Sequence, residues 1–435
     1  MKVLAIDVGS SSIKASILTG PGALKQKARR AFDTRYDEGR AEVDPAELLK
    51  LTAEVIEELG PGVKGVDCII PTGMAPSWVA MDARGRPITP IVTHQDRRSL
   101  GEAADIEERV GKSRQLMIAG NRPVAGGISS TTTAWFARHE PAVMKRADLI
   151  GHLTTLLTRT FCNARAIDTS NASFTGLYAT TTLGGWHDEL LSAAGVSAKQ
   201  LPEVVEADAV VGSVTAAAAA RFGLTEGTPM LAGIMDGSCA MLLAGAKAGQ
   251  VVNVVGSTDV LAVCTDTAMP DPAVLTRALG RGKRWLSVGT LAASGTAIDW
   301  ARKTFFADLG KKDFKKLMTR LINQPADPQL VFRPTLAGSR TSNDLPAAEI
   351  TGLKLAHTRD DILRAMLEGL AVASAERFGH FQRLGLRMRR DVLSTGGGND
   401  ILATLLRRDW PGRWTFREEE DATLRGVWML AESAK

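Results

Sequence analysis

The chain has 435 residues, 44% of them hydrophobic and 42 of them glycine, which is more than one ordinary core holds and excludes a disordered chain. Its formal charge of +5 comes from scattered acids and bases with short basic clusters at 25–30 and 311–316, and 5% aromatics leave little surface for stacking bases, so no nucleic-acid partner is expected. No apolar run reaches the roughly 18 to 20 residues that span a bilayer, so no membrane partner is expected either. Cys68, Cys162, Cys239 and Cys264 are widely spaced without a C-x-x-C pair. That usage predicts reduced core thiols in a soluble, cytoplasmic protein.

Along the chain, Val3, Leu4, Ala5 and Ile6 form an apolar run, the mark of a strand buried on both faces, and Asp7 closes it. Gly9, Ser10, Ser11 and Ser12 then make a tight turn whose N–H groups and hydroxyls can converge on an anion, and a second strand follows. Asp7, beside that turn, can hold Mg2+ directly or through water; the bland alternative is an Asx turn that only caps a hairpin. Residues 45–59 have helical apolar spacing, with Asp44 as N-cap and Pro45 in the first turn. A short buried strand at 66–70 leads into Pro71-Thr72-Gly73-Met74-Ala75-Pro76, and a hairpin turns at Asp82-Ala83-Arg84-Gly85. After Ile91-Val92 comes a polar cluster at a strand end, Thr93-His94-Gln95-Asp96-Arg97-Arg98.

An Ala-rich helix at 216–222 leads to Gly227, where the domain boundary is expected, giving domains 1–227 and 228–435. The second opens on another apolar strand that ends in an acid and a glycine, Met230-Leu231-Ala232-Gly233-Ile234-Met235-Asp236-Gly237-Ser238. Two strand–acid–turn units, one early in each half, predict duplicated domains facing one cleft, each lending an acid to a shared phosphate and metal centre. Downstream, strand 251–255 ends in Gly256-Ser257-Thr258, and strand 392–394 ends in Gly396-Gly397-Gly398-Asn399 before a helix at 401–406. The glycine run suits close approach of an adenine or ribose; taken alone it is an ordinary flexible turn.

In this order the segments resemble the FGGY family of carbohydrate kinases over nearly the whole chain. The resemblance implies an α/β fold of two ribonuclease-H-like, actin-like ATPase domains with an interdomain cleft, ATP with Mg2+ as cofactors, and a sugar or polyol as substrate. Asp7-Val-Gly-Ser-Ser-Ser resembles the first phosphate motif, and Gly233-Ile-Met-Asp236 the G-x-x-D segment whose aspartate is the catalytic base and a second metal contact. Ser257 and Thr258 fall in the second phosphate motif, Gly295 in the helix start on the nucleotide side, and Gly397, Gly398 and Asn399 in the adenosine motif. The run from Phe332 to Arg340 and the Arg364-Ala365-Met366-Leu367-Glu368-Gly369 segment match further family patterns.

On the sugar side, Met74 and Ala75 stand where xylulose kinases carry M-H, and Gln95 and Asp96 stand in the W-x-D-x-R segment with His94 in place of tryptophan. Asp168-Thr169-Ser170-Asn171-Ala172-Ser173 resembles the D-x-S-x-A-S run and is a second candidate for the sugar pocket. The nearest resemblance is to xylulose kinases, with a ketose or related polyol as acceptor and a homodimer left open. Phosphoryl transfer asks for little covalent machinery, so in-line positioning, charge neutralisation and one carboxylate base, Asp236, suffice. For Asp236 the bland alternative is a helix N-cap. Two other classes compete: an actin-like ATPase coupled to a protein partner, and a degenerate sensor that binds sugar or nucleotide without turnover. His94, His187 and His357 show no metal-ligand spacing and read as surface or core residues.

Overall fold

A computed structural model describes residues 1–20, 22–344, 346–397 and 400–434. The chain divides into two compact units: unit 1 comprises residues 1–248, 264–286 and 421–435, and unit 2 comprises 249–263 and 287–420.

Unit 1 starts with β1 (Lys2–Val8), β2 (Ser12–Thr19) and β3 (Ala23–Ala31), an antiparallel meander in which Val8 pairs with Ile13 across the turn. Helix α1 (Pro45–Glu58) begins as expected, with the Asp44 carboxylate accepting the Ala46 N–H and Pro45 in the first turn. Strand β4 (Cys68–Gly73) then pairs parallel with β1, Val3 against Cys68 through Val8 against Gly73. It lies further along the chain than expected, because Pro71, Thr72 and Gly73 continue the pairing under the end of β1. Strands β5 (Val210–Ser213) and β6 (Pro229–Leu231) complete the sheet order β5-β6-β4-β1-β2-β3, and the two-residue strand β7 (Ile234–Met235) pairs parallel with Thr72 and Gly73 of β4. Leu4, Ile6, Ile56, Phe161 and Phe222 belong to the core that covers this sheet.

The boundary expected at Gly227 is not where the packing divides. Strand β7 and helix α2 (Asp236–Leu243), which carry Asp236, belong to unit 1 because β7 completes the sheet beside β4. The strand–acid–turn repeat therefore falls within one unit as far as its acids are concerned.

Unit 2 repeats the sheet pattern. Strands β8 (Val251–Val255), β9 (Asp259–Thr265) and β10 (Trp285–Leu291) stand side by side, with β8 and β9 antiparallel. Helix α3 (Gly295–Phe305) and the long helix α4 (Arg359–Arg383) follow. Strand β11 (Asp391–Thr395) pairs parallel with β8; helix α5 (Asp400–Arg407) and strand β12 (Thr415–Glu418), parallel to β11, complete the unit. Each unit thus has a tight hairpin whose first strand is flanked by a parallel strand from later in the chain. Phe306, Phe314, Leu363 and Leu367 lie in the core of unit 2. The chain then returns to unit 1 as helix α6 (Ala422–Ser433).

Candidate active site

In unit 1 the expected catalytic and phosphate residues gather at the carboxyl ends of parallel strands, where α/β sheets open onto ligands. Val8 of β1 is in register with Gly73 of β4, and Gly73 with Met235 of β7, so Asp7 and Asp236 stand at strand ends two positions apart, about 10 Å between backbones. The Gly9 N–H donates to the Ser12 carbonyl at 3.0 Å and closes the turn; Ser10 and Ser11 are exposed, whereas Ser12 is buried in β2. The Ser11 carbonyl is taken by the Phe32 N–H, which leaves its hydroxyl as the outward group.

Asp7 is 4% exposed. Its Oδ2 lies 3.6 Å from Lys14 Nζ on the paired strand, while Oδ1 is buried with no hydrogen-bond partner. Burial pushes its carboxyl up to about 7, offset by the Lys14 ammonium and reinforced by the negative charges of Asp236 and Asp421. Asp236 is half-buried at the start of α2, and its Oδ1 accepts the Gly237 N–H at 2.6 Å. Met235, not Asp236, is the N-cap of α2, so the N-cap expectation for Asp236 does not hold; Asp236 stands in the first turn of the helix. Buried Arg277 donates to Ser238 Oγ in the same helical turn, and a Cβ on Gly237 would lie 3.1 Å from its Nη2.

The sugar-side expectations fare differently. Met74 and Ala75 are buried beside the site, with the Met74 N–H donating to the Val8 carbonyl at 2.8 Å. Gln95 is exposed and accepts the Tyr36 hydroxyl at 2.6 Å. Asp96 is engaged within the protein. It is fully buried, its Oδ2 accepts from Arg98 Nη2 at 2.7 Å and the Ala41 N–H at 2.8 Å, and its Oδ1 accepts from the Arg98 N–H and Nε. These bonds on both oxygens tie Asp96 into the loop. Arg98 also pairs with Glu42 and lies over the Trp135 ring. The side chains of Asp168 to Ser173 are all buried.

In unit 2, Ser257 is exposed and Thr258 half-buried in the hairpin turn, closed by the Gly256 N–H on the Thr258 carbonyl at 2.8 Å. The first N–H groups of α3 are already committed to that turn. Gly295 donates to the Gly256 carbonyl and Thr296 to that of Ser257. A Cβ on Gly295 would lie 2.5 Å from the Gly256 oxygen, so Gly295 lets the helix seat the turn, and its own N–H is not an outward donor. Beneath the turn, buried Asp259 accepts from Asn253 Nδ2 at 2.7 Å and pairs with Arg377. A charge placed directly after the Gly256-Ser257-Thr258 motif, inside an apolar strand, is the signal by which Asp259 could have been found. Gly396, at φ +119°, brings the end of β11 against Val255, and Gly397 is exposed. Gly398 and Asn399 lie outside the described residues.

The paired hairpins and the carboxylate at a helix start describe a phosphotransferase, and the family is explicit. Residues 2–243 match the N-terminal domain, and residues 251–405 the C-terminal domain, of the FGGY family of carbohydrate kinases; the chain belongs to this family and is an ATP-dependent sugar kinase. Among its relatives, the xylulose kinase of Bacillus subtilis (strain 168) is 25% identical over 446 residues, covering 99% of this chain and 87% of that protein. The gluconokinase of the same organism is 25% identical over 386 residues, covering 85% of this chain and 74% of that protein. The crystal structure of xylulose kinase from Rhodospirillum rubrum matches with a TM-score of 0.89 at 25% identity, covering 100% of this chain and 90% of that one. Family membership does not favour the ATPase and sensor alternatives.

Proposed function

We propose that the chain phosphorylates a ketose related to xylulose, or a polyol of similar shape, with Asp236 accepting the proton of the attacking hydroxyl. The observation that carries this reading is the placement of Asp236 and Asp7 at neighbouring strand ends beside the turn of Gly9, Ser10, Ser11 and Ser12.

Mg2+ takes one or two carboxylates plus substrate phosphates and waters, and needs no cage of its own. Among the described residues no group of three or more His, Cys, Asp or Glu side chains could hold a metal. The unpartnered buried Oδ1 of Asp7 fits that sparse demand, because a cation there satisfies the oxygen and relieves the repulsion from Asp236. When bound, ATP with Mg2+ supplies the phosphoryl group and neutralises its charge. Asp7 and Asp236 hold the cation, Ser10 and Ser11 donate to phosphate oxygens, and Ser257, Thr258 and Gly397 serve the nucleotide.

A second reading, an acidic sugar such as an aldonate, is favoured by the buried guanidinium of Arg277, which reaches Ser238 in the first turn of α2. A panel of ketoses, polyols and aldonates assayed for sugar-dependent ADP release separates the two. For the base itself, Asp236→Asn is expected to lower turnover by roughly 10^2 to 10^4 with ATP binding intact. Turnover within about threefold of the wild type would overturn the assignment.

A further inference from the structure

The strand end that carries Asp236 is held from behind by a buried chain of polar side chains. The Met235 N–H donates to Ser170 Oγ at 3.2 Å. Asp168 Oδ2 accepts both the Ser170 hydroxyl and the Ser170 N–H, and its Oδ1 accepts Asn171 Nδ2 at 2.6 Å. Asn171 Oδ1 lies 3.3 Å from His152 Nδ1, and His152 Nε2 lies 2.8 Å from Ser129 Oγ. Asp168 and Ser170 are 0% exposed, and Asn171, His152 and Ser129 no more than 3%.

The donors and acceptors in this chain fix one another. A serine hydroxyl has one proton, and the Asp168 carboxylate takes it, which turns a lone pair of Ser170 toward Met235. Asn171 must present its amide NH2 to Asp168, so its carbonyl faces His152, whose Nδ1 carries the proton and whose Nε2 accepts from Ser129. Burial, which drives the imidazole pKa down to about 4, keeps His152 neutral in this arrangement. Met235 caps α2 and immediately precedes Asp236, so holding its N–H anchors the backbone from which the Asp236 side chain leaves, and the Gly237 N–H on Oδ1 completes the orientation.

We propose that Asp168 is a positioning residue for phosphoryl transfer, acting through the Ser170 hydroxyl and the Met235 N–H to aim the Asp236 carboxylate. The proposal rests on Asp236 being the base. It predicts an effect on turnover out of proportion to any effect on binding, since a small misplacement of a reacting group is costly.

The test uses the full chain and whichever sugar the panel identifies, with Ser170→Ala, Asp168→Asn, Asn171→Asp, the double variant Asp168→Asn/Asn171→Asp, and Asp236→Asn in parallel. Ser170→Ala deletes one oxygen and leaves Met235 without its acceptor; kcat per folded molecule should fall about ten- to hundredfold with both KM values within about threefold. Asp168→Asn withdraws the carboxylate that fixes the Ser170 hydroxyl and the Asn171 amide, and should lower kcat in the same direction. The double variant restores a donor facing an acceptor, since the amide now at position 168 donates to the carboxylate now at position 171. That carboxylate also accepts from His152, and most of the lost kcat should return.

Wild-type kcat in Ser170→Ala beside an inactive Asp236→Asn would overturn the positioning role alone. An active Asp236→Asn would instead remove the base it rests on. If Asp168→Asn does not fold, Ser170→Ala and the double variant still decide. A double variant that folds with wild-type stability but stays as slow as Ser170→Ala would also overturn the proposal.

Discussion

Asp7 shows most plainly what burying one carboxylate costs the fold. Its folded pKa of about 7 stands well above the unfolded value, so between about pH 4 and 7 the folded chain binds more protons than the unfolded one. Stability attributable to Asp7 therefore falls as pH rises through that window, by up to about 4 kcal/mol at pH 8, and below about pH 4 the residue contributes no difference. Asp7→Asn removes the penalty. Without Mg2+ it should melt at a higher temperature than the wild type at pH 8, the gap should close by pH 4, and Mg2+ should no longer raise the melting temperature in the presence of nucleotide. A variant that melts lower than the wild type at pH 8 would contradict this account. The place of Asp7 was legible, because an acid closing an apolar strand before a Gly/Ser turn marks the strand end at which the structure puts it. Asp96 shows where legibility stops: nothing in the order of residues says that Arg98, two positions on, folds back onto its oxygens.

At the scale of elements, hydrophobic spacing and caps located α1, the 216–222 helix and the two hairpins, because those signals are local. What stayed hidden was which elements share a sheet. Strand β7 joins β4 through two residues, and no periodicity announces so short a pairing. Likewise the close seat of α6 on α2 rests on Gly426, where a Cβ would lie 2.0 Å from the Cys239 carbonyl oxygen. Gly426→Val should force the two helices apart and cost about 1 to 3 kcal/mol, the range for overpacking. Because α2 begins at Asp236, turnover should fall alongside stability. Thermal melts together with kcat check this; a variant as stable and as fast as the wild type would show that the contact is slack.

At the scale of the molecule, unit 1 is assembled from three separate stretches of chain, and only the first of them carries the motifs. A boundary drawn at Gly227 follows the order of the sequence; the packing follows the completion of one sheet and its covering helices. Removing residues 421–435 takes away α6, including Trp428, which packs against Gly20, and Asp421, which pairs with Lys27 at 2.6 Å. A chain ending at Glu420 should therefore lose cooperative unfolding of unit 1 while unit 2 keeps its protease resistance. Limited proteolysis followed by mass spectrometry reads both, and a protected unit 1 in the shortened chain would refute the expectation. During synthesis the consequence is one of timing: the hairpin bearing Asp7 is made before Asp236, yet the helix that packs on α2 is made after the whole of unit 2. Between Asp236 and α6 the nascent chain thus carries both carboxylates without the helix that packs on α2, and unit 1 is complete only once residues 421–435 have been made.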